Sequence, residues 1–156
     1  MTGEEMIENL RSLDLVGIAS DTIEENVDLI ADLNAAQLAQ GIRSDGSYIT
    51  PEYKDITVEL KMAKTGLAGV WNHVTLYDEG DHYRQLYAKV QGEDVEYGSH
   101  DEKSAKLQAK YDGDQRTREK GSIYGLTTDS KDELITSRLQ TSWETKIEKA
   151  TGLKFD

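Results

Sequence analysis

VTLYDEGDHYRQLYAKV, residues 74–90, is the stretch on which the reading of the fold turns. Val74 and Leu76 alternate with polar or smaller neighbours, which predicts a short strand. An acidic turn follows, Tyr77-Asp78-Glu79-Gly80-Asp81, and an apolar rhythm returns at Tyr83, Leu86, Tyr87 and Val90. Gly80 is the expected pivot, because a turn wedged between ordered segments often needs positive φ, which glycine reaches without steric cost. Downstream, Gln91-Gly92-Glu93-Asp94 reads as a connection into a second short strand, where Val95 and Tyr97 alternate with Glu96. Upstream, Asp45-Gly46 within IRSDGSYIT is the strongest short-range turn pair and predicts a turn or small hairpin.

Helical patterns flank this centre. Thr2 is placed to cap a first helix running to about Leu15, with Glu4 and Glu5 in its first turn and Met6, Leu10 and Leu13 on one face. Gly17 interrupts the pattern. A second helix is predicted from Ser20 or Asp21, where Asp21 and Glu24 form a capping-box pattern; Gly41 is its stop. Its stripe of Ile23, Val27, Ile30 and Leu38 is broken by Asn34. Pro51, the only proline, suits the first turn of a third helix capped by Thr50, with Tyr53, Ile56 or Thr57, and Leu60 on its buried face. TGLAG, residues 65–69, is an expected loop, and Trp71 beyond it is expected to pack or to lie at a contact surface, packing being the commoner outcome. Residues 99–111 carry a weak helical stripe, and DGDQRTREKGS, residues 112–122, is the most polar segment. Ile123-Tyr124-Gly125-Leu126 restores apolar character and turns. Thr128 or Ser130 then caps a helix of roughly twenty residues, whose expected buried face is Leu134, Ile135, Leu139, Trp143 and Ile147 and whose end is Gly152. The expected class is α+β: N-terminal helices, a small antiparallel sheet of short strands and a long C-terminal helix. Length suits a single domain over residues 1–156, with a helical part at 1–40, a mixed core at 41–127 and the last helix at 128–152.

Composition narrows function. A net charge of -12 argues against a phosphate-binding surface, since affinity for nucleic acid comes mainly from Lys and Arg displacing counterions. The same charge would keep DNA from adhering to a wall that it passes. With no cysteine, disulfides, zinc ribbons and thiol catalysis are excluded. The opening MTGEEMIENL lacks the basic start and apolar run of a signal peptide, and no window approaches the roughly 18 apolar residues of a membrane span.

Motifs for chemistry are sparse. His73, His82 and His100, with Asp78, Glu79, Asp81 and Asp101, form the sharpest candidate for a metal or acid–base site. A small metal-dependent hydrolase using the groups around Gly80 is therefore the enzymatic alternative, although HExxH and other recurrent ligand spacings are missing. DGSYITPE resembles the second half of a calcium-binding loop, but Arg43 and Gly41 stand where oxygen ligands are required. Neither a GxSxG elbow nor a glycine-rich phosphate cradle occurs. The expectation is no enzyme, no cofactor and no metal. Eight tyrosines suit half-buried sheets or subunit interfaces, and a non-catalytic adaptor binding a protein through them is the other alternative. Arg116, Arg118 and Lys120 would be solvated surface or would meet an acidic face of a neighbouring copy.

Two strings carry a resemblance. Gln37-Leu38, Gly41-Ile42, Asp45-Gly46, Ile49, Pro51 and Tyr53 match QL-x-x-GI-x-x-DG-x-x-I-x-P-x-Y, and residues 74–83 match VTL-x-DTGDFY with Glu79 and His82 as departures. These strings resemble a group of uncharacterised proteins encoded by crAss-like and other phages of Bacteroides-type hosts. The order of segments, from Thr57 and Lys61 through Val95-Glu96-Tyr97-Gly98-Ser99 to Ile123-Tyr124-Gly125-Leu126-Thr127, is similar to that of phage tail-completion and virion-morphogenesis proteins. The resemblance spans roughly residues 37–127. It implies a virion structural protein, a head–tail connector or tail-completion subunit of a neck or tail ring, made in the host cytoplasm. Copies of itself and neighbouring neck, tail or portal proteins would be its partners, with no specific nucleic-acid binding and no membrane. Gly41, Asp45, Gly46, Tyr53, Gly80, Asp81, Tyr83, Tyr87, Arg116, Arg118, Tyr124 and Gly125 are the implied motif and interface residues, and loop 112–122 is the candidate contact with adjacent rings.

Overall fold

Three helices open the chain: α1 (Gly3–Arg11), α2 (Leu15–Glu24) and α3 (Val27–Ala39). The structure, a computed structural model, describes residues 1–66, 73–78, 80–112 and 121–155. Thr2 caps α1 through a full capping box, its hydroxyl accepting from Glu5 N while the Glu5 carboxylate accepts from Thr2 N. α1 stops four residues short of the expected Leu15, and Gly17 lies inside α2 instead of ending a helix. The reason is Asp14, whose carboxylate accepts from Gly17 N at 2.9 Å and starts α2 there. Accordingly Asp21 is interior, and what reads as one helix over residues 20–40 is two, parted at Glu25 and Asn26. Gly41, at φ +73°, closes α3 as expected.

α4 (Asp55–Thr65) begins later than Pro51. Thr50 cannot cap it, because both Thr50 oxygens are taken by the Arg43 guanidinium. The apolar face of α4 is also not where it was expected: Ile56 and Leu60 are 64% and 66% exposed, and no residue of α4 is buried. Val74, Thr75 and Leu76 are buried but form no strand. Leu76 turns into the left-handed region at φ +56°, and its N–H is accepted by the Tyr53 hydroxyl at 3.0 Å. Gly80 (φ +87°) then starts a single helical turn, α5 (Asp81–Arg84), which leads into the hairpin β1 (Leu86–Gln91) and β2 (Asp94–Ser99). The strands pair antiparallel in the register Leu86↔Ser99 to Gln91↔Asp94, with Gly92 at positive φ in the two-residue turn. Tyr87 lies opposite Gly98, where an added Cβ would come within 2.7 Å of its hydroxyl.

α6 (Ser104–Tyr111) follows. The last helical segment is α7 (Thr128–Leu134), a π-helical turn (Ile135–Leu139) and α8 (Gln140–Thr151), capped by Thr127, one residue before the expected Thr128, and ended at Gly152 (φ +77°). The π turn shifts the register, so Leu134 and Ile147 are buried while Ile135 is 49% exposed, against its expected place in the core. The architecture is α+β, with helices, a two-stranded antiparallel sheet among the described residues and a long C-terminal helical segment.

Two apolar clusters result. One gathers Leu38, Ile49, Val74, Leu76, Tyr111, Ile123 and Tyr124; the other gathers Ile30, Ala88, Leu126 and Leu134. Between them runs an irregular segment, residues 121–127, whose backbone is held by side chains. Asn34, 1% exposed, donates to Ile123 O and Gly125 O and accepts from Gly125 N. Gln37 donates to Gly125 O at 2.9 Å and accepts from Thr127 N at 3.0 Å. Asp112 accepts from Ile123 N at 2.8 Å.

Arg43, 1% exposed, is the deepest charge. Its guanidinium donates to the carbonyls of Tyr111 (2.7 Å), Tyr48 (2.6 Å) and Thr50 (2.9 Å), and to the hydroxyls of Ser47 and Thr50. Arg43→Lys keeps the charge but has too few donors in the wrong geometry. It should lower stability in urea by about 2–4 kcal/mol, since hydrogen bonds to buried charges each carry about 1.5–3 kcal/mol. A second expectation concerns Gly80. Valine there would adopt φ +87°, with Cβ 2.9 Å from an Arg84 nitrogen and 3.2 Å from the Tyr77 ring. Gly80→Val should cost at least about 1–2 kcal/mol, the left-handed penalty for an L-residue, and an unchanged urea midpoint would remove Gly80 as the pivot.

Candidate functional site

Gly80 sits at the edge of a cleft of about 190 Å³. Three elements build it. The left-handed turn at Leu76 and Gly80 carries Tyr77 and Asp81; Tyr53 and Lys61 come from the approach to α4 and from α4 itself; Asp101, Lys103 and Leu107 come from the start of α6. The Lys61 ammonium donates to Tyr77 O and lies 5.1 Å from the centroid of the Tyr53 ring. Lys64 pairs with Asp78 at 2.8 Å, and chiefly by that hydrogen bond it holds the Asp78 carboxyl below its ordinary range. Asp81 pairs with Arg84 along α5. Tyr83 donates to Thr75 O and stands edge-on to Tyr77, with ring centroids 5.4 Å apart. Burial pushes the Tyr83 phenol well up, which keeps it the neutral O–H donor to Thr75 O.

His82 forms the floor. It is 6% exposed, its ring centroid is 5.8 Å from that of Tyr124, and neither ring nitrogen has a hydrogen-bond partner among the described residues. Burial depresses its pKa, and the carboxylate of Asp101 only partly opposes this. The imidazole is therefore neutral at pH 7. His73 is placed elsewhere: its Nε2–H donates to Ala39 O at 2.7 Å and its ring lies against Gly41. His100 stacks on Tyr87 at 4.4 Å, and the Tyr87 hydroxyl donates to Glu96 at 2.7 Å. The three histidines thus serve three different contacts. Among the described residues no three His, Asp or Glu side chains converge as metal donors.

The implied motif residues separate into two groups. Tyr53, Gly80 and Asp81 line the cleft, and Tyr83 packs behind it. Gly41, Asp45, Gly46, Tyr124 and Gly125 belong to the polar seam below. There Gly46, at φ +86°, completes the turn in which Ser47 N and Ser47 Oγ donate to Asp45. Burial raises the Asp45 pKa, but those hydrogen bonds and one from Gly121 N outweigh it and leave the carboxyl below its ordinary value. Tyr124, pushed up to about 12 chiefly by burial, shares a hydrogen bond with Ser104 at 2.6 Å. Tyr87 stands apart on the hairpin. Arg116 and Arg118 lie outside the described residues, as do Glu79 and Trp71, so only the ends of loop 112–122 are placed. Arg43, Asn34, Gln37 and Asp112 were missed by sequence reasoning; the signal available was that Gln37 falls inside the matched string and that Asn34 breaks an otherwise apolar stripe. No helix among the described residues is long and apolar enough to cross a membrane. No family model, curated protein or solved structure matches the chain.

Protonation of His82 is the testable consequence of this floor. In the unfolded chain histidine titrates near 6.5, and in the fold its pKa is lower. The stability contributed by the neutral ring is therefore complete above about pH 6.5 and is lost as pH falls through the folded value. Urea midpoints at ~pH 7.5 and ~pH 5.5 should differ more in the native chain than in His82→Phe. Equal pH dependence in the two would show that His82 does not carry this sensitivity.

Proposed function

We propose that the chain is a structural subunit of a phage neck or tail ring, a head–tail connector or tail-completion protein that assembles around the channel through which DNA passes. One observation supports this reading above others. The α4 stripe of Ile56 and Leu60, spaced as a helix spaces residues meant for burial, is left uncovered by the chain's own fold. An apolar helical face in a chain of net charge -12 calls for a protein partner. The matched strings support it in a second way. Their residues go into the polar seam and the cleft edge, where they fix shape, and this is what a virion subunit requires of its signature. Acidic character suits a wall that DNA passes without adhering.

In this reading the subunit acts by assembly, without catalysis, with copies of itself and with adjoining neck, tail or portal proteins. It is located in the virion. The test is sedimentation velocity and negative-stain electron microscopy of the purified full chain over rising concentration. Closed particles of uniform diameter with a central opening are expected. A chain that stays monomeric at the highest attainable concentration, or forms only two-fold dimers, would overturn the ring.

A further inference from the structure

Among the described residues two formal charges are buried, Arg43 and Asp101. Arg43 is met by acceptor oxygens on every side; Asp101, 8% exposed, is not met by as many donors. Its Oδ1 accepts from Lys103 N at 2.8 Å where α6 begins, and its Oδ2 has no hydrogen-bond partner among the described residues. No ion pair reaches the carboxylate among them either. Removing a carboxylate from water is costly unless it is paired. Asp101 lines the cleft beside Gly80, and so does Tyr111 at the end of α6. Arg43 holds the Tyr111 carbonyl at 2.7 Å, which fixes where the phenol enters the apolar cluster. That phenol is 5% exposed, and its hydroxyl has no partner among the described residues. Neither this hydroxyl nor Asp101 Oδ2 is sealed off from solvent. Two side chains more than nine-tenths buried thus bring an unpaired oxygen each to one cleft.

The rest of the lining selects what answers them. Lys61 is committed to Tyr77 O and to the face of the Tyr53 ring, Asp78 to Lys64, and Asp81 to Arg84, so these charges are offset within the chain. Lys103 is exposed. The charge left uncompensated at depth is the Asp101 carboxylate, so the matching ligand group is a cation. A hard metal ion would need several oxygen donors, and among the described residues no three His, Asp or Glu side chains converge. Leu76, Leu107 and the tyrosine rings supply apolar walls suited to an organic body. Drug-sized molecules take pockets of about 300–1,000 Å³. At about 190 Å³ this cleft suits a body of one ring. We propose that the cleft binds a small aromatic ammonium ion, its charged head on the Asp101 carboxylate and the Tyr111 hydroxyl. This site is independent of the proposed ring.

The test titrates the full chain at pH 7 with benzylammonium, benzyl alcohol and benzoate, three probes that share a ring and differ in the charge of the head. Because His82 lines the same cleft, its imidazole C–H resonances report occupancy by NMR. Benzylammonium should shift them saturably with a Kd of ~1–10 mM, as its few heavy atoms allow, and should raise the melting midpoint. Benzyl alcohol should bind at least about tenfold more weakly and benzoate more weakly still, since a hydrogen bond to a charged group is worth about 1.5–3 kcal/mol. Asp101→Asn keeps an oxygen for Lys103 N and removes the charge; it should weaken benzylammonium by the same factor of about ten or more. Tyr111→Phe keeps the ring in its cluster and should weaken it about two- to tenfold. Circular dichroism melting checks both folds, and Tyr111→Phe decides alone if Asp101→Asn does not fold. Benzyl alcohol or benzoate binding as tightly as benzylammonium would overturn the site. So would His82 resonances that stay still at the highest soluble concentration of benzylammonium, or an affinity unchanged in the folded variants.

Discussion

The structure depends on a buried cation held directly by neutral oxygen atoms. Among the described residues Arg43 forms no ion pair, yet it is 1% exposed. Taking a charge out of water costs several kcal/mol even after relaxation, so the site must return comparable interactions. It does so by number. A guanidinium has five N–H groups, and five acceptor oxygens surround it: the carbonyls of Tyr48, Thr50 and Tyr111 and the hydroxyls of Ser47 and Thr50. Tyr111 O belongs to the last turn of α6, where helical carbonyls lack partners and the helix dipole presents its negative end. The Asp45-Gly46 turn exists to bend residues 47–50 back to the guanidinium, and Ile49 is carried into the core by the same bend.

From Arg43 the constraint spreads through polar side chains to backbone. Ser44 exchanges hydrogen bonds with Ser122, and Asp45 takes Gly121 N, so the 43–50 loop fixes where segment 121–127 enters. Asn34 and Gln37 of α3 then satisfy that segment's carbonyls and amides at Ile123, Gly125 and Thr127. Buried backbone must be paired somewhere, and here the partners are amide and carboxylate side chains in place of a neighbouring strand. This explains why one hairpin suffices as regular sheet among the described residues while Val74, Leu76, Ile123 and Leu126 are nonetheless buried. Such networks are cooperative, so loss of one member leaves several groups unsatisfied.

What the sequence conveyed follows from this. Local rules were readable where local chemistry decides: the Thr2 cap, the Asp45-Gly46 turn, the positive φ of Gly80, the Gly92 connection between strands and the Gly152 helix end. They failed where a distant group won. Thr50 would cap a helix at Pro51 if Arg43 did not occupy its oxygens. Val74 and Leu76 alternate like a strand, but the Tyr53 hydroxyl, from another segment, takes the amide that a strand would have paired. A π turn cannot be read from periodicity, so Ile135 was assigned to a face that the fold rotates outward. Arg43 itself was visible only as the wrong residue for a calcium ligand, since burial of a cation depends on carbonyls gathered from residues 48, 50 and 111.

The candidate site was readable in its residues and not in its role. His73, His82 and the carboxylates near Gly80 form a tempting set on one line of text, but the left-handed turn at Leu76 separates their surroundings. His73 faces the end of α3, and His82 faces Tyr124. Helical periodicity has the complementary blind spot. Ile56 and Leu60 recur at the spacing of a buried face, and the pattern is correct about burial in principle while silent about whose surface provides it. A 3.6-residue rhythm records that a face has been selected to leave water. Whether the cover comes from the same chain is decided by long-range geometry: here α4 is held by polar ties at Tyr77 and Asp78, so its apolar stripe is turned away from both clusters.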